Sequence, residues 1–157
     1  MLPAHHIYRV LSLIQQLDET RRDLENISSH DYLTGIYNRR FTVEPASTIL
    51  ALGHRHRFPV SLITIDLDHF KQVNDTYGHG TGDALLVGLA EFVKSLILGT
   101  DIFGRYGGEG FIVFMPHRTL DDAILLANRI HLGVRENRFS DLSITVSMGL
   151  SVANEAT

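Results

Sequence analysis

Apolar residues in the first segment fall at Ile7, Val10, Ile14, Leu17 and Leu24, at spacings of three, four, three and seven, with charges between them. That recurrence predicts a helix over Ile7–Ile27 carrying a heptad seam interrupted by Arg21. The same pattern suits a strand of a coiled coil or an amphipathic helix packed on its own domain. After Ser28, Ser29 and an Asp31–Gly35 turn, Arg39–Arg57 is expected to be helical, with Pro45 in the first turn or at a bend. Val60–Leu67 (VSLITIDL) is short and β-branched, which predicts a buried strand. Leu85, Leu89, Phe92, Val93 and Leu96 repeat at helical spacing within Gly82–Leu98, and Gly99 is the expected stop. Asp101–Tyr106 and Phe111–Met115 are expected strands joined at Gly107-Gly108, a dipeptide suited to a tight hairpin with positive φ. Leu120–Val134 repeats as an amphipathic helix, and Leu142–Val152 as a last strand.

From residue 60 onward the order is strand, helix, strand, strand, helix, strand, the split-βαβ arrangement. The expected fold class is therefore α+β: a ferredoxin-like βαββαβ core, with a central antiparallel sheet flanked by helices, plus the N-terminal helix. In that topology the first and third strands are antiparallel neighbours, so Asp66 and Glu109 are expected to face each other.

Composition narrows the function. The 157 residues suit one globular domain, divided here into a linker or signalling helix at 1–29 and a domain at 30–157. No apolar run approaches the length of a membrane span, and Met1–Arg9 lacks a signal-peptide pattern, so no membrane contact by this chain is expected. The absence of cysteine fits a cytoplasmic location. A net charge of −4 argues against a nucleic acid polymer as partner but leaves room for a small nucleotide. An RNA-recognition module of the same strand order would need a basic sheet face with exposed aromatics, and Phe111 and Phe114 are assigned to the core instead. His5-His6, His54 and His56 are read as solvated surface.

Asp66 and Glu109, at the ends of adjacent strands beside a glycine-rich hairpin, could hold Mg²⁺, a hard cation that takes oxygen ligands and is completed by phosphate. Asp68 offers a second ligand or a helix cap. FKQVNDTYGHGTGD at Phe70–Asp83 gathers Asn74, Asp75, His79 and Asp83 with three glycines between a short and a long helix. Such side chains can pair with a purine edge, and backbone N–H groups ahead of a helix can cradle phosphate.

Three blocks then stand in one order: DYLTGIYNRR at Asp31–Arg40, DLDHFKQVNDTYGHGTGD at Asp66–Asp83 and RYGGEGF at Arg105–Phe111. Together with VSMGLSV at Val146–Val152 they resemble the GGDEF family of diguanylate cyclases, whose fold is like the nucleotidyl cyclase and polymerase palm. The resemblance implies that Asp66, the main-chain carbonyl of Leu67 and Glu109 hold Mg²⁺, with Mn²⁺ a possible substitute. It implies that Asn74 and Asp83 recognise guanine, that the backbone around His69, Phe70 and Lys71 receives the terminal phosphates, and that Glu109 assists deprotonation of the attacking hydroxyl. The implied reaction joins two GTP molecules into cyclic di-GMP on a homodimer. The N-terminal helix would couple an upstream sensor to pairing of the catalytic domains.

Three departures qualify what is implied. The fourth signature position, normally Glu, is Gly110. The family's inhibitory Arg-x-x-Asp is Leu98-Gly99-Thr100-Asp101, which predicts weak or absent inhibition by cyclic di-GMP through that site, since leucine cannot make arginine's bidentate contacts. The family's closing basic helix is missing from these residues, as in a truncated form. The alternative reading is a catalytically degenerate receptor for GTP or cyclic di-GMP, with Gly110 as its support.

Overall fold

The structure, a computed structural model, describes residues 4–154; the first residues of the expected linker helix and the last of the expected 30–157 domain lie outside that range. α1 spans Ala4–Ile27, α2 Arg39–His56, β1 Val60–Leu67, α3 Phe70–Tyr77, α4 His79–Leu96, β2 Ile102–Arg105, β3 Gly110–Pro116, α5 Leu120–Glu136 and β4 Val146–Ala153. The strands form one antiparallel sheet in the order β2-β3-β1-β4, with β1 and β3 at its centre.

Alternation along β1 divides the sheet into two faces. Ile63, Ile65 and Leu67 are buried with Leu85, Leu89, Val93, Ala123, Leu126 and Ile130 of α4 and α5. Leu62, Ile112 and Phe114 face Thr42, Val43 and Leu50 of α2 on the other side. Phe111 and Phe114 are core residues, as expected. Both faces therefore depend on period-two alternation in strands whose ends carry polar groups, and this delivers Asp66 to the sheet's rim. α1 stands apart: its apolar positions Ile7, Val10, Ile14, Leu17 and Leu24 are all exposed, and it has no substantial packing with any other element. Of the two uses open to its seam, packing on its own domain is therefore not the one found.

Several local expectations need correction. α4 begins at His79 rather than Gly82, because Gly78 at φ 91° breaks α3 and lets the next helix start at once. It ends at Leu96, and Gly99 is not its stop: Ile97 turns extended, and the Asp101 carboxylate accepts the Leu98 N–H at 2.8 Å. Pro45 sits in the second turn of α2, where its ring removes the N–H that would reach the Phe41 carbonyl. β4 starts at Val146, not Leu142, because Leu142 is used in a tight turn with Phe139 across Ser140 and Asp141, both at positive φ. The β2–β3 hairpin is also wider than a two-residue turn. The Gly110 carbonyl accepts the Tyr106 N–H at 2.9 Å and the Gly107 N–H at 3.4 Å, and neither Gly107 nor Gly108 has positive φ.

Candidate nucleotide and metal site

At the rim, Asp66 pairs in register with Gly110, not with Glu109. Glu109 lies one residue beyond the strand, exposed, its carbonyl accepting the Leu67 N–H at 3.2 Å. The expected face-to-face pair is thus offset by one position. The reason is register: the seven paired positions of β1 and β3 place Val60 opposite Pro116 and run down to Asp66 opposite Gly110. The missing fourth carboxylate of the signature is therefore missing from the position directly across from Asp66. A Cβ at Gly110 would lie 3.0 Å from Asp66 Oδ1.

Asp68 is neither a free ligand nor a helix cap. It accepts hydrogen bonds from Ser147 Oγ at 2.6 Å and Thr145 Oγ1 at 2.7 Å, and its N–H donates to the Thr145 carbonyl. The Ser147 and Thr145 hydroxyls hold its carboxyl below the ordinary value, against a weaker effect of burial. Asp68 ties β1 to β4 just where β1 hands over to α3. His69 follows in the left-handed region at φ 57°, so the chain reverses within one residue and Phe70 and Lys71 form the start of α3. Phe70 packs against the core while Lys71 is exposed.

Asn74 lies in the last turn of α3, and its carbonyl accepts the Gly78 N–H at 2.9 Å. Its Oδ1 is buried and has no hydrogen-bond partner. Gly82, buried in the first turn of α4, lies against that amide, and Asp83 follows it, exposed. The fold thus brings Asp66, Leu67 and Glu109 to one strand end, strings His69, Phe70 and Lys71 directly after it, and sets Asn74 beside the Gly82-Asp83 step.

Mg²⁺ commonly takes one or two carboxylates plus water and phosphate oxygens. Asp66 and Glu109 at one rim fit a single such ion. Among the described residues no third His, Cys, Asp or Glu joins them in a metal-binding group.

Sequence reasoning missed Arg105. Its guanidinium reaches Asp31 at 3.2 and 3.3 Å and the Gly108 carbonyl at 2.6 and 3.1 Å, bracing the signature hairpin against the Asp31–Gly35 turn. Asp31 also accepts from the Thr34 N–H and hydroxyl. Burial works to raise its carboxyl, and the Thr34 hydrogen bonds with the Arg105 charge outweigh it, leaving the group below its ordinary value. Both residues lie inside the motif blocks Asp31–Arg40 and Arg105–Phe111, and an arginine next to a glycine-rich turn was the available signal. Asp101 is buried, and its Oδ2 accepts from the Leu98 N–H at 2.8 Å and from Arg118 at 3.3 Å.

The sequence profile described as "Diguanylate cyclase, GGDEF domain" matches residues 28–157. This chain belongs to the GGDEF family. The GGDEF domain is 34% identical over 142 residues to the probable diguanylate cyclase DgcC of Escherichia coli K12, covering 88% of this chain and 38% of that protein. It is 36% identical over 155 residues to the response regulator PleD of Caulobacter vibrioides, covering 91% of this chain and 34% of PleD. The chain therefore spans little more than a third of these relatives. Among solved structures, diguanylate cyclase SiaD from Pseudomonas aeruginosa, crystallised with its activator SiaC, superposes with TM-score 0.75 at 34% identity over 96% of this chain and 61% of SiaD. The GGDEF domain of DgcB from Caulobacter crescentus, in complex with c-di-GMP, gives TM-score 0.77 at 27% identity, covering 83% of this chain and 80% of that one. The α+β architecture expected from the strand order is the architecture of this family. No helix among the described residues is long and apolar enough to cross a membrane.

Proposed function

We propose that this chain is the GGDEF module of a cytoplasmic, Mg²⁺-dependent diguanylate cyclase, converting two GTP into cyclic di-GMP and two pyrophosphates. The observation that carries the reading is the convergence of Asp66, the Leu67 backbone and Glu109 at one sheet rim, continuous with the α3 start and the Asn74–Asp83 pair. In this reading Asn74 and Asp83 bind the guanine edge, the backbone at His69, Phe70 and Lys71 receives the β- and γ-phosphates, and Asp66, the Leu67 carbonyl and Glu109 hold the metal. Bound Mg²⁺ supplies charge stabilisation at the phosphates. The Glu109 carboxylate takes the proton of the 3′-hydroxyl. That oxygen bonds to the α-phosphorus of the facing nucleotide, and the bond from phosphorus to the pyrophosphate oxygen breaks. Each domain orients one GTP, so the reaction requires two copies face to face, and α1 is the segment suited to pairing them under an upstream sensor.

A second reading is favoured by one observation: the carboxylate absent at Gly110 is absent from the position opposite Asp66. A degenerate receptor that binds GTP or cyclic di-GMP without turnover is consistent with that loss. The deciding measurement is GTP turnover with Mg²⁺ by a dimerised form, comparing the natural chain with Gly110→Glu and resolving products by chromatography. The cyclase reading expects cyclic di-GMP from both, with Gly110→Glu faster by about tenfold or more, equivalent to ~1.4 kcal/mol of transition-state stabilisation. Product from Gly110→Glu alone makes the natural chain the receptor. Product from neither, with no nucleotide bound, overturns both readings.

A further inference from the structure

The Asn74 amide is held by shape rather than by hydrogen bonds. Its Oδ1 is buried without a hydrogen-bond partner among the described residues. What it rests on is Gly82: a Cβ built there would overlap Asn74 Oδ1, and would lie 2.9 Å from Asn74 Cγ and 3.2 Å from Phe70 Cε2. Gly82 does not need to be glycine for its backbone, since its φ lies outside the positive range. An ordinary helical glycine replaced by alanine gains stability. The glycine is therefore explained by the close approach of α3 to α4, not by a turn. That approach is enforced by the single connecting residue Gly78, with Gly78 N–H on the Asn74 carbonyl at 2.9 Å and Gly82 N–H on the Gly78 carbonyl at 3.3 Å.

We infer that Gly82 is a positioning residue for base selection: by lacking a side chain it sets where the Asn74 amide stands relative to Asp83, and so determines preference for guanine over adenine. This rests on the proposed reading of the site as a GTP site. Asn74 and Asp83 lie on different helices, so they can address one base edge only if the helices keep their spacing. A methyl group between the helices meets the Asn74 amide first and displaces it, while the rim carboxylates Asp66 and Glu109 are not among its neighbours. Specificity then falls more than phosphate binding does, because a purine edge is read by groups that must sit within hydrogen-bond reach of fixed donors and acceptors.

The test is calorimetric titration of GTP and of ATP, with Mg²⁺, into the natural protein, Gly82→Ala, Asn74→Ala and the double variant, with thermal unfolding of each. The natural chain should prefer GTP. Gly82→Ala should reduce the GTP-over-ATP affinity ratio about tenfold, the scale of one well-placed hydrogen bond, and leave ATP affinity within about twofold. It should lower Tm, and Asn74→Ala in the same chain should restore Tm without restoring the ratio. An unchanged ratio in Gly82→Ala overturns the inference while leaving the GTP site standing. A raised Tm in Gly82→Ala overturns it independently of any nucleotide, since it shows that the methyl group meets no obstacle. Equal affinity of the natural chain for GTP and ATP overturns the GTP reading, and this inference with it.

Discussion

Arg105 and Asp31 stand 74 residues apart in the chain, and their ion pair is mostly withdrawn from solvent, at 16% and 14% side-chain exposure. Removing the guanidinium leaves the Asp31 carboxylate with Thr34 alone and the Gly108 carbonyl without its two Arg105 hydrogen bonds. Arg105→Ala should therefore cost about 2–3 kcal/mol of stability, measured as a lowered urea midpoint. The pH dependence carries a definite sign. The folded Asp31 carboxyl lies below its ordinary value of 3.8, so its contribution is complete above that value. It is lost as pH falls through 3.8 towards the folded value. Urea midpoints measured from about pH 5 down to about pH 3 should fall more steeply in the natural protein than in Asp31→Asn. Neither partner was legible as a pair. A local reading sees an aspartate in a turn and an arginine before a glycine run, and only the meeting of β2 with the Asp31–Gly35 turn shows that they share a charge. The same holds for Asp68, whose two hydroxyl partners come from β4.

At the scale of elements, helices and strands followed from periodicity where the pattern was local. Val60–Leu67 is a strand at the bounds its β-branched run implies. α5 begins as a capped helix: Thr119 Oγ1 accepts the Asp122 N–H at 3.3 Å, and the Asp122 carboxylate accepts the Thr119 N–H at 2.9 Å and its hydroxyl at 3.0 Å. This reciprocal pair satisfies donors that the first turn otherwise leaves open. Thr119→Ala should cost about 1 kcal/mol, read as a fall in Tm; Thr119 follows Pro116, at the end of β3 opposite the rim. The ends of elements were less legible where a single side-chain hydrogen bond or a tight turn decided them. α4 stops because the Asp101 carboxylate captures the Leu98 N–H, and β4 starts late because Ser140 and Asp141 adopt positive φ in a turn. Gly99 and Leu142 looked like boundaries in the chain, and a side-chain hydrogen bond and a tight turn within three residues moved them.

Over the whole molecule, α1 is the least explained element when it is taken alone. Leu17 is 75% exposed, Ile14 56% and Ile7 55%, on a helix with no substantial packing against any other element among the described residues. A helix of this kind gains stability from a partner rather than from propensity. The protein should associate through this face with a second copy. Ile14→Glu with Leu17→Glu should shift the sedimentation profile towards monomer by about tenfold or more in dissociation constant, the scale of burying one leucine-sized side chain, without changing the urea midpoint of the domain. By itself the sequence determined which segments become strands and helices, their order in the α+β fold, the family and the residue types of the site. All of these are written in neighbouring residues as period, composition and motif. Tertiary structure alone decided the rest. It set Asp66 opposite Gly110 rather than Glu109, laid the Asn74 amide on Gly82, joined Arg105 to Asp31 and left α1 uncovered. Register and packing are properties of segments distant in the chain, and a shift of one residue in the β1–β3 pairing would turn every side chain of a strand to the other face while leaving the sequence pattern unchanged.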